Sequence, residues 1–366
     1  MPRAAYLTVL GAAVLCYAAL GAVLRILPEL VDDPATLGLL VGAPALTGVV
    51  TRPAGGRVAD RVGAAPVMLA GALVMAAGVI PALASDSTTV LLASRLLVGA
   101  GEGAMMSACV LWLLRLTGPE RRGQALGHIG LANYAGLTAG PLLAEALDLD
   151  RSPVLIAAAV LPLAGVALAV RVPRPHIEPA AEGGAVLREV LVPGAGLMLV
   201  NLGYVTFLAF GGAQAGTALV VPVFAAGVIA VRTLGASLPD RLGGQRTLTL
   251  AAPTAAAGLL VVSLGTGTAA ALAGTVVLAL GQGLAVPALG LLALARVPAR
   301  SQGAAAGLFF AFFDAGVGAG GPIAGGVARL SSPATALALA AGAVATSALS
   351  GRAADRAHRR AVTCSA

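Results

Sequence analysis

Long apolar runs separated by short polar turns cover almost the whole chain. A helix that crosses the hydrocarbon core of a bilayer needs about 20 mostly apolar residues, and twelve runs near this length can be marked. They lie near 4–27, 36–57, 66–85, 89–114, 123–146, 152–171, 190–211, 216–237, 246–265, 268–295, 303–327 and 333–350. The strands of a membrane barrel would instead alternate apolar and polar positions. The pattern therefore predicts an all-α membrane protein with 12 transmembrane helices, the first of which is retained as a span.

Composition supports a membrane location. The mean hydropathy is +0.93, and only 11% of the residues are charged, whereas a soluble surface needs many more polar side chains. Ala and Gly are abundant and aromatic residues make up 3%, which suits helices that pack closely in lipid. Arg without Lys, together with this composition, is typical of a GC-rich bacterial genome. We expect a multi-pass protein of the bacterial inner (cytoplasmic) membrane.

The basic charge of the chain, +7 in total, indicates topology. If Met1 is cytoplasmic, most Arg residues fall on the inner side, and only Arg151 and Arg329 fall clearly outside. The inner set is Arg3, Arg57, Arg61, Arg115, Arg121, Arg122, Arg171, Arg174, Arg188, Arg241, Arg246, Arg296, Arg300, Arg352, Arg356, Arg359 and Arg360; the outer acids are Glu29, Asp32, Asp33, Asp86, Asp148 and Asp150. This positive-inside bias predicts that both termini are cytoplasmic and gives no reason to expect a nucleic-acid partner.

The longest polar stretch, residues 171–190, lies between the sixth and seventh runs. It predicts four segments: an N-terminal six-helix bundle at 1–173, a cytoplasmic linker at 174–189, a C-terminal six-helix bundle at 190–350, and a basic cytoplasmic tail at 351–366. Each half would then contain six spans.

The two halves share sequence features at a constant spacing. The turn "ADRVG" at 59–63 returns as "PDRLG" at 239–243, which places Asp60 and Asp240 180 positions apart. The same offset relates "GEG" at 101–103 to "GQG" at 281–283. Such matches are what parallel structural repeats leave in a membrane transporter sequence.

Three motifs resemble those of the major facilitator superfamily (MFS). "GRVADRVG" at 56–63 resembles the signature loop between spans two and three, although Ala64 and Ala65 replace its basic pair. "RLLVGAGEG" at 95–103 is similar to the fourth-span motif, and "GHIGLANYAGLTAGP" at 127–141 to the fifth-span pattern of proton antiporters, whose closing Gly-Gly is here Ala144-Glu145. The resemblance covers the whole chain and implies the MFS fold, with two six-helix bundles, and the 12-span drug:proton antiporter group.

The resemblance implies a conformational latch at the repeated turn. Asp60 and Asp240 are placed to accept backbone N–H groups at a neighbouring helix N-terminus and to pair with Arg from an adjacent span, with Arg115 as the candidate partner of Asp60. The latch would favour the outward-open state. Its residues are Gly56, Asp60, Arg61, Gly63, Arg115, Asp240, Arg241 and Gly243. The alternative is a tight polar turn whose Arg residues only set topology.

Charges inside predicted spans are costly, so each is a candidate for function. Arg95 and Glu102 lie two turns apart on one face of span four, about 10 Å along the axis, and Asp314 lies midway along span eleven. The family resemblance implies that Glu102 or Asp314 carries the coupling proton and that Arg95 tunes the pKa of that carboxylate. The alternative is a static Arg95–Glu102 pair that fixes helix register.

Uncharged polar side chains in the spans could line a substrate cavity or form helix-to-helix hydrogen bonds. They are Tyr17, Asn133, Tyr134, Asn201, Tyr204 and Gln282. Gly136, Gly140 and Pro141 in span five, and Gly321 and Pro322 in span eleven, predict close contact and a kink. We expect that contact to lie across the two halves and to resist a leak.

The sequence thus predicts a secondary transporter, not an enzyme, that exports small apolar or amphipathic compounds in exchange for protons by alternating access. The alternatives are an MFS facilitator or proton symporter that imports a metabolite, and an intramembrane enzyme, for which no catalytic motif is found. We expect protons, a small-molecule substrate and the lipid bilayer as partners, no cofactor and no metal, and function as a monomer.

Overall fold

The computed structural model describes residues 3–31, 34–85, 87–172, 184–217 and 219–351. Several predicted features lie outside the described residues. They are Met1, Asp32, Asp33, Asp86, Arg174, most of the linker (173–183) and the basic tail beyond Gly351, with its four Arg residues.

The described residues form thirteen α-helices joined by short turns. The helices are α1 (Arg3–Leu30), α2 (Pro34–Val62), α3 (Ala64–Ala84), α4 (Thr88–Thr117), α5 (Arg122–Ala146), α6 (Arg151–Ala169), α7 (Gly184–Ala215), α8 (Val220–Leu234), α9 (Leu238–Leu242), α10 (Gly244–Leu264), α11 (Thr268–Leu294), α12 (Gln302–Leu330) and α13 (Pro333–Thr346). Short 3₁₀ helices, Pro119–Arg121 and Ala299–Ser301, precede α5 and α12.

Each of the twelve predicted runs coincides with one helix, and α9 is a short extra helix that carries the second copy of the repeated turn. In the part of the chain that the structure describes, nine helices are long and apolar enough to cross a membrane. The all-helical architecture is confirmed, whereas exactly twelve crossings and the side of the termini stay predictions. Helix α7 begins at Gly184, inside the segment predicted as a linker.

Helix pairs pack at the same register in both halves. In α3 and α4, a Cβ added to Gly78 would lie 2.9 Å from the backbone nitrogen of Val98. In α10 and α11, a Cβ on Gly258 would meet the nitrogen of Leu278, and both residues are displaced by 180 positions from the first pair. Glycine permits this backbone approach because it has no side chain. The duplication predicted from the turn therefore extends to the packing of the helices.

The chain forms two compact units whose limits differ from a simple cut at the linker. The first unit comprises 1–119, 128–183 and 298–311, and the second comprises 120–127, 184–297 and 312–366. The first turns of α5 and α12 therefore each belong with helices of the other repeat. The predicted bundle limits at 173 and 190 stay predictions.

Candidate functional site

In the first unit, the carboxylate of Asp60 caps the start of α12. Its two oxygens accept the backbone N–H of Gly303 at 2.9 Å and that of Ala304 at 2.7 Å. The first N–H groups of a helix have no partner within the helix and carry a partial positive charge, so a carboxylate is well suited to this position. Arg115 adds a guanidinium nitrogen 3.7 Å from the carboxylate, the partner expected from the sequence.

Glycines make this cap possible. A Cβ on Gly303 would lie 2.8 Å from the Asp60 carboxylate oxygen, and a Cβ on Gly56 would collide with the carbonyl of Gly303. One turn further along α12, a Cβ on Gly307 would collide with the carbonyl of Arg52. The backbones of α2 and α12 are therefore in direct contact, and Asp60 is only 1% exposed.

In the second unit, Asp240 of α9 caps the start of α5 in the same way. Its two oxygens accept the backbone N–H groups of Gly123 and Gln124, both at 2.8 Å. Each donor lies 180 positions before its counterpart at Gly303 or Ala304. Each repeat thus supplies a carboxylate to a helix of the other repeat.

The second cap is more exposed than the first. Asp240 is half-buried, whereas Asp60 is buried. Ala295 stands at the repeat position of Arg115, and Ala236 at that of Gly56. Gly63 and Gly243, also predicted for the latch, adopt positive φ angles of 92° and 81°, which glycine tolerates best, and are the N-caps of the next helix in each half. Arg61 and Arg241 are exposed.

Burial alters the ionisation of Asp60, which lies near the end of α2 and beyond the predicted span 36–57. Helix α2 has 29 residues and is therefore about 43 Å long, which exceeds the thickness of a hydrocarbon core, about 30 Å. Its last residues therefore extend beyond the membrane-spanning segment. Burial raises the pKa of Asp60 to about 6, and the two N–H donors and Arg115 oppose that rise. The desolvation of the carboxylate thus exceeds the compensation by its partners.

The predicted coupling carboxylate, Glu102, pairs with Arg52 instead of Arg95. Arg52 Nη2 donates to the two Glu102 oxygens at 2.9 and 3.0 Å, and the exposed fractions of the side chains are 8% and 5%. Arg95 Nε donates to the carbonyl of Leu40 at 3.0 Å. Arg95 was expected to be the cation close to Glu102. In the structure the guanidinium that binds Glu102 is instead that of Arg52 in α2. Arg52 was not among the predicted site residues, and its repeat equivalent is Arg232.

Three positions of α2 that make close contacts share one face. Arg52, Gly56 and Asp60 are spaced by four residues and lie above one another on consecutive turns. Arg52 binds Glu102, Gly56 contacts α12, and Asp60 caps α12. A shift of α2 along or about its axis would therefore change the ion pair and the cap together.

The remaining predicted site residues are distributed over both units. Asp314 is buried in α12. Asn201 donates to the carbonyl of Leu197, and Gln282 is fully buried, with neither amide atom hydrogen-bonded. Tyr204 stacks on Phe224. Tyr17 and Tyr134 are buried and Asn133 is half-buried. A role for these residues in a substrate cavity stays a prediction.

The glycines of span five pack on α1 of their own half. A Cβ on Gly136 would lie 2.6 Å from the carbonyl of Val14, and one on Gly140 would collide with the carbonyl of Ala18. These contacts lie within the first repeat, so the expectation that they lie across the halves is wrong for Gly136 and Gly140. Pro141 and Pro322 are inside helices α5 and α12.

In α12 the corresponding close contact is made by Gly316, whose Cβ would lie 2.5 Å from the carbonyl of Met198 in α7. A Cβ on Gly320 would meet Leu202 of α7 at 3.2 Å, whereas Gly321 has open space around it. The offset of 180 positions therefore relates the packed glycines, Gly136 to Gly316 and Gly140 to Gly320.

Apolar helices of spanning length, a duplicated helix arrangement and buried charges within it define a multi-pass membrane protein of the transporter class. The sequence profile described as the Major Facilitator Superfamily matches residues 7–322, and the chain belongs to that family. The predicted family is confirmed, and the drug:proton antiporter group within it stays a prediction.

Relatives of similar length support the assignment. An uncharacterized MFS-type transporter of Burkholderia pseudomallei is 30% identical over 357 residues, covering 89% of this chain and 88% of the relative. One from Salmonella typhimurium is 30% identical over 311 residues and covers 79% of each chain.

Solved structures share the fold. The human organic anion transporter MFSD10 superposes with a TM-score of 0.82 at 18% identity, covering 96% of this chain and 100% of that one. The Escherichia coli fucose:proton symporter FucP gives 0.77 at 14% identity, covering 95% and 98%. At these identities the likeness establishes the fold alone.

Proposed function

We propose that this MFS transporter exports small apolar or amphipathic compounds in exchange for protons, and that it works by alternating access. The pair of carboxylate caps is the observation that carries the proposal. Asp60 and Asp240 each join the two repeats through two backbone N–H donors. A transporter that rocks one half against the other requires contacts of this kind, which form in one state and break in the other.

The caps would close one side of the membrane. Both caps lie where an even-numbered predicted span turns into an odd-numbered one, so they share a side if every span crosses once. The positive-inside bias assigns that side to the cytoplasm. Charge-assisted hydrogen bonds contribute roughly 1.5–3 kcal/mol each, which is comparable to the few kcal/mol that separate conformers. Closed caps would therefore favour the outward-open state.

The buried ion pair supplies a route from proton binding to the caps. When Glu102 is ionised, it compensates the charge of Arg52, and both side chains are buried. Protonation of Glu102 would leave the Arg52 guanidinium without its charge partner, which is unfavourable in a buried site. Because Arg52 and Asp60 lie on one face of α2, relaxation of Arg52 would disturb the cap. Asp314 is the second candidate for the proton.

The proton gradient is an adequate energy source for export. One proton that enters across 100 mV and one pH unit supplies about 2.3 plus 1.4 kcal/mol. This sum supports a concentration ratio of several hundred for a neutral compound, since each 1.4 kcal/mol corresponds to about tenfold.

Transport in inverted vesicles tests the proposal. Vesicles with an acidic interior would be given ethidium or chloramphenicol, and uptake would be compared with that of vesicles lacking the protein. Antiport predicts uptake of one or both compounds and accompanying alkalinisation of the lumen. Movement of either compound in the same direction as the proton would contradict antiport and favour the importing symporter.

A further inference from the structure

An apolar cavity with one buried cation lies inside the first unit, between α1, α3, α4 and α6. The cavity is partly open to the outside. Most of its walls are aliphatic, and Ser94 and Arg95 are the polar side chains that line it. The aliphatic part includes Leu20, Leu27, Val79, Leu91, Leu155 and Ala158.

The guanidinium of Arg95, which lines this cavity, has a hydrogen-bond donor that is not used. The residue is 5% exposed, and its Nε donates to the carbonyl of Leu40. Its Nη1 is buried and has no hydrogen-bond partner. Among the residues that the structure describes, no Asp or Glu forms an ion pair with Arg95, since Glu102 is bound by Arg52. A buried guanidinium without an anion is unfavourable, and in a membrane span such a charge indicates a functional site.

The shape of the site selects the kind of anion. A guanidinium presents N–H groups in a planar fork that matches the two oxygens of a carboxylate. The aliphatic walls suit a short hydrocarbon tail. We propose that this cavity binds a small aliphatic monocarboxylate, with the carboxylate on Arg95 and Ser94 and the tail among the aliphatic side chains.

The site differs from the proposed coupling site. Glu102 and Arg52 form their pair between α4 and α2, whereas the cavity is lined by α1, α3, α4 and α6. Binding to Arg95 can be measured in the absence of transport. The inference therefore stands independently of proton-coupled export.

Equilibrium binding to the purified full-length chain in detergent tests the proposal. The probe is radiolabelled hexanoate, with unlabelled hexanoate, hexanamide and chloride as competitors. We expect saturable binding that hexanoate displaces and that hexanamide displaces at least tenfold less effectively, because the amide carries no charge. Absence of saturable binding, or equal displacement by hexanamide, would overturn the proposal.

Variants locate the site. Arg95→Gln should weaken hexanoate binding at least tenfold, and Arg171→Gln, a matched change at an exposed residue beyond α6, should leave it unchanged. Ala158→Leu places a larger side chain in the cavity and retains Arg95. It should abolish hexanoate binding while the unfolding temperature stays that of the wild type. This variant provides the test if Arg95→Gln does not fold. Wild-type binding in Ala158→Leu, or displacement by chloride at the same concentration as hexanoate, would exclude the proposed ligand class.

Discussion

Asp60 and Asp240 occupy the same position in two repeats, and each binds the backbone of the helix that the other repeat contributes. Asp60 accepts N–H groups of α12, and Asp240 accepts N–H groups of α5. The two caps are equal in hydrogen-bond number but not in surroundings. Only Asp60 is fully buried. Arg115 lies 3.7 Å from its carboxylate, whereas the second repeat has Ala295 at the position equivalent to Arg115.

The inequality predicts that the two caps respond differently to mutation. Asp60→Ala leaves two N–H groups of α12 buried without an acceptor, which costs about 1–3 kcal/mol each. Asp240→Ala should cost less, roughly 1 kcal/mol, the usual value for a lost N-terminal cap, because water can replace the half-buried carboxylate. Chemical unfolding of the two variants in detergent measures the difference, and equal costs would contradict the assignment of Asp60 as the stronger cap.

Gly307 and Gly127 form a matched pair for testing backbone contact. They are repeat equivalents near the start of α12 and α5, but a Cβ would collide with Arg52 only at Gly307, and Gly127 has open space. Gly307→Ala should therefore destabilise the chain by roughly 1–3 kcal/mol. Gly127→Ala should be neutral or stabilise by up to about 1 kcal/mol, since alanine restricts the unfolded chain. If the two variants lost similar amounts of unfolding free energy, the result would argue against the α2–α12 contact.

The Arg52–Glu102 pair should show strong energetic coupling. Glu102→Gln leaves a buried guanidinium uncompensated and should cost roughly 3–5 kcal/mol in unfolding free energy. Arg52→Gln should cost a similar amount, and the double variant should cost less than the sum of the two. The cycle is measured by chemical unfolding. Additive costs would show that the two side chains do not interact.

The same variants separate stability from coupling. If Glu102 carries the proton, the double variant retains the fold but loses proton movement driven by the exported compound. Asp314→Asn provides the comparison, because Asp314 is the other candidate carboxylate. Loss of proton movement in Asp314→Asn, with proton movement retained in the Arg52–Glu102 double variant, would transfer the role to Asp314.

The raised pKa of Asp60 predicts a pH dependence. The carboxyl binds a proton more tightly in the folded chain, at about 6, than when exposed, where about 3.9 is usual. Its contribution to stability is therefore fully present below pH about 4 and is lost as the pH rises through about 6. Unfolding free energy relative to Asp60→Asn should fall by roughly 2–3 kcal/mol between pH 4 and pH 7. An increase over this range would mean that the N–H donors and Arg115 dominate over burial.

Periodicity and spacing determined most of the fold from the sequence alone. The twelve runs coincide with helices because apolar length is the dominant requirement for a membrane helix, and the caps follow from a repeat that places Asp60 and Asp240 at equal positions. The partner of Glu102 was missed. The spacing within α4 indicated Arg95 as the partner of Glu102. Whether Arg95 or Arg52 pairs with Glu102 depends on how α2 is rotated against α4, and the sequence of α4 alone does not determine that rotation.

The packing of span five shows the same limit. Its glycines predicted a close contact correctly, but the contacting helix is α1 of the same half. A small-residue stripe indicates that a backbone approaches and does not indicate which helix supplies it. The N–H donors Gly303 and Gly123 could have been found from the sequence, because they are glycines at the repeat offset just after a polar turn.

The most direct test of the central claim is the distance between spin labels at Val62→Cys and Leu242→Cys, measured by pulsed electron resonance after Cys16, Cys109 and Cys364 are replaced. Both label sites are exposed and follow the capping carboxylates by two residues. If the caps hold the cytoplasmic side closed, Asp60→Asn combined with Asp240→Asn should shift the distance distribution to longer values. An unchanged distribution in this double variant would contradict the role of the two carboxylates as the latch.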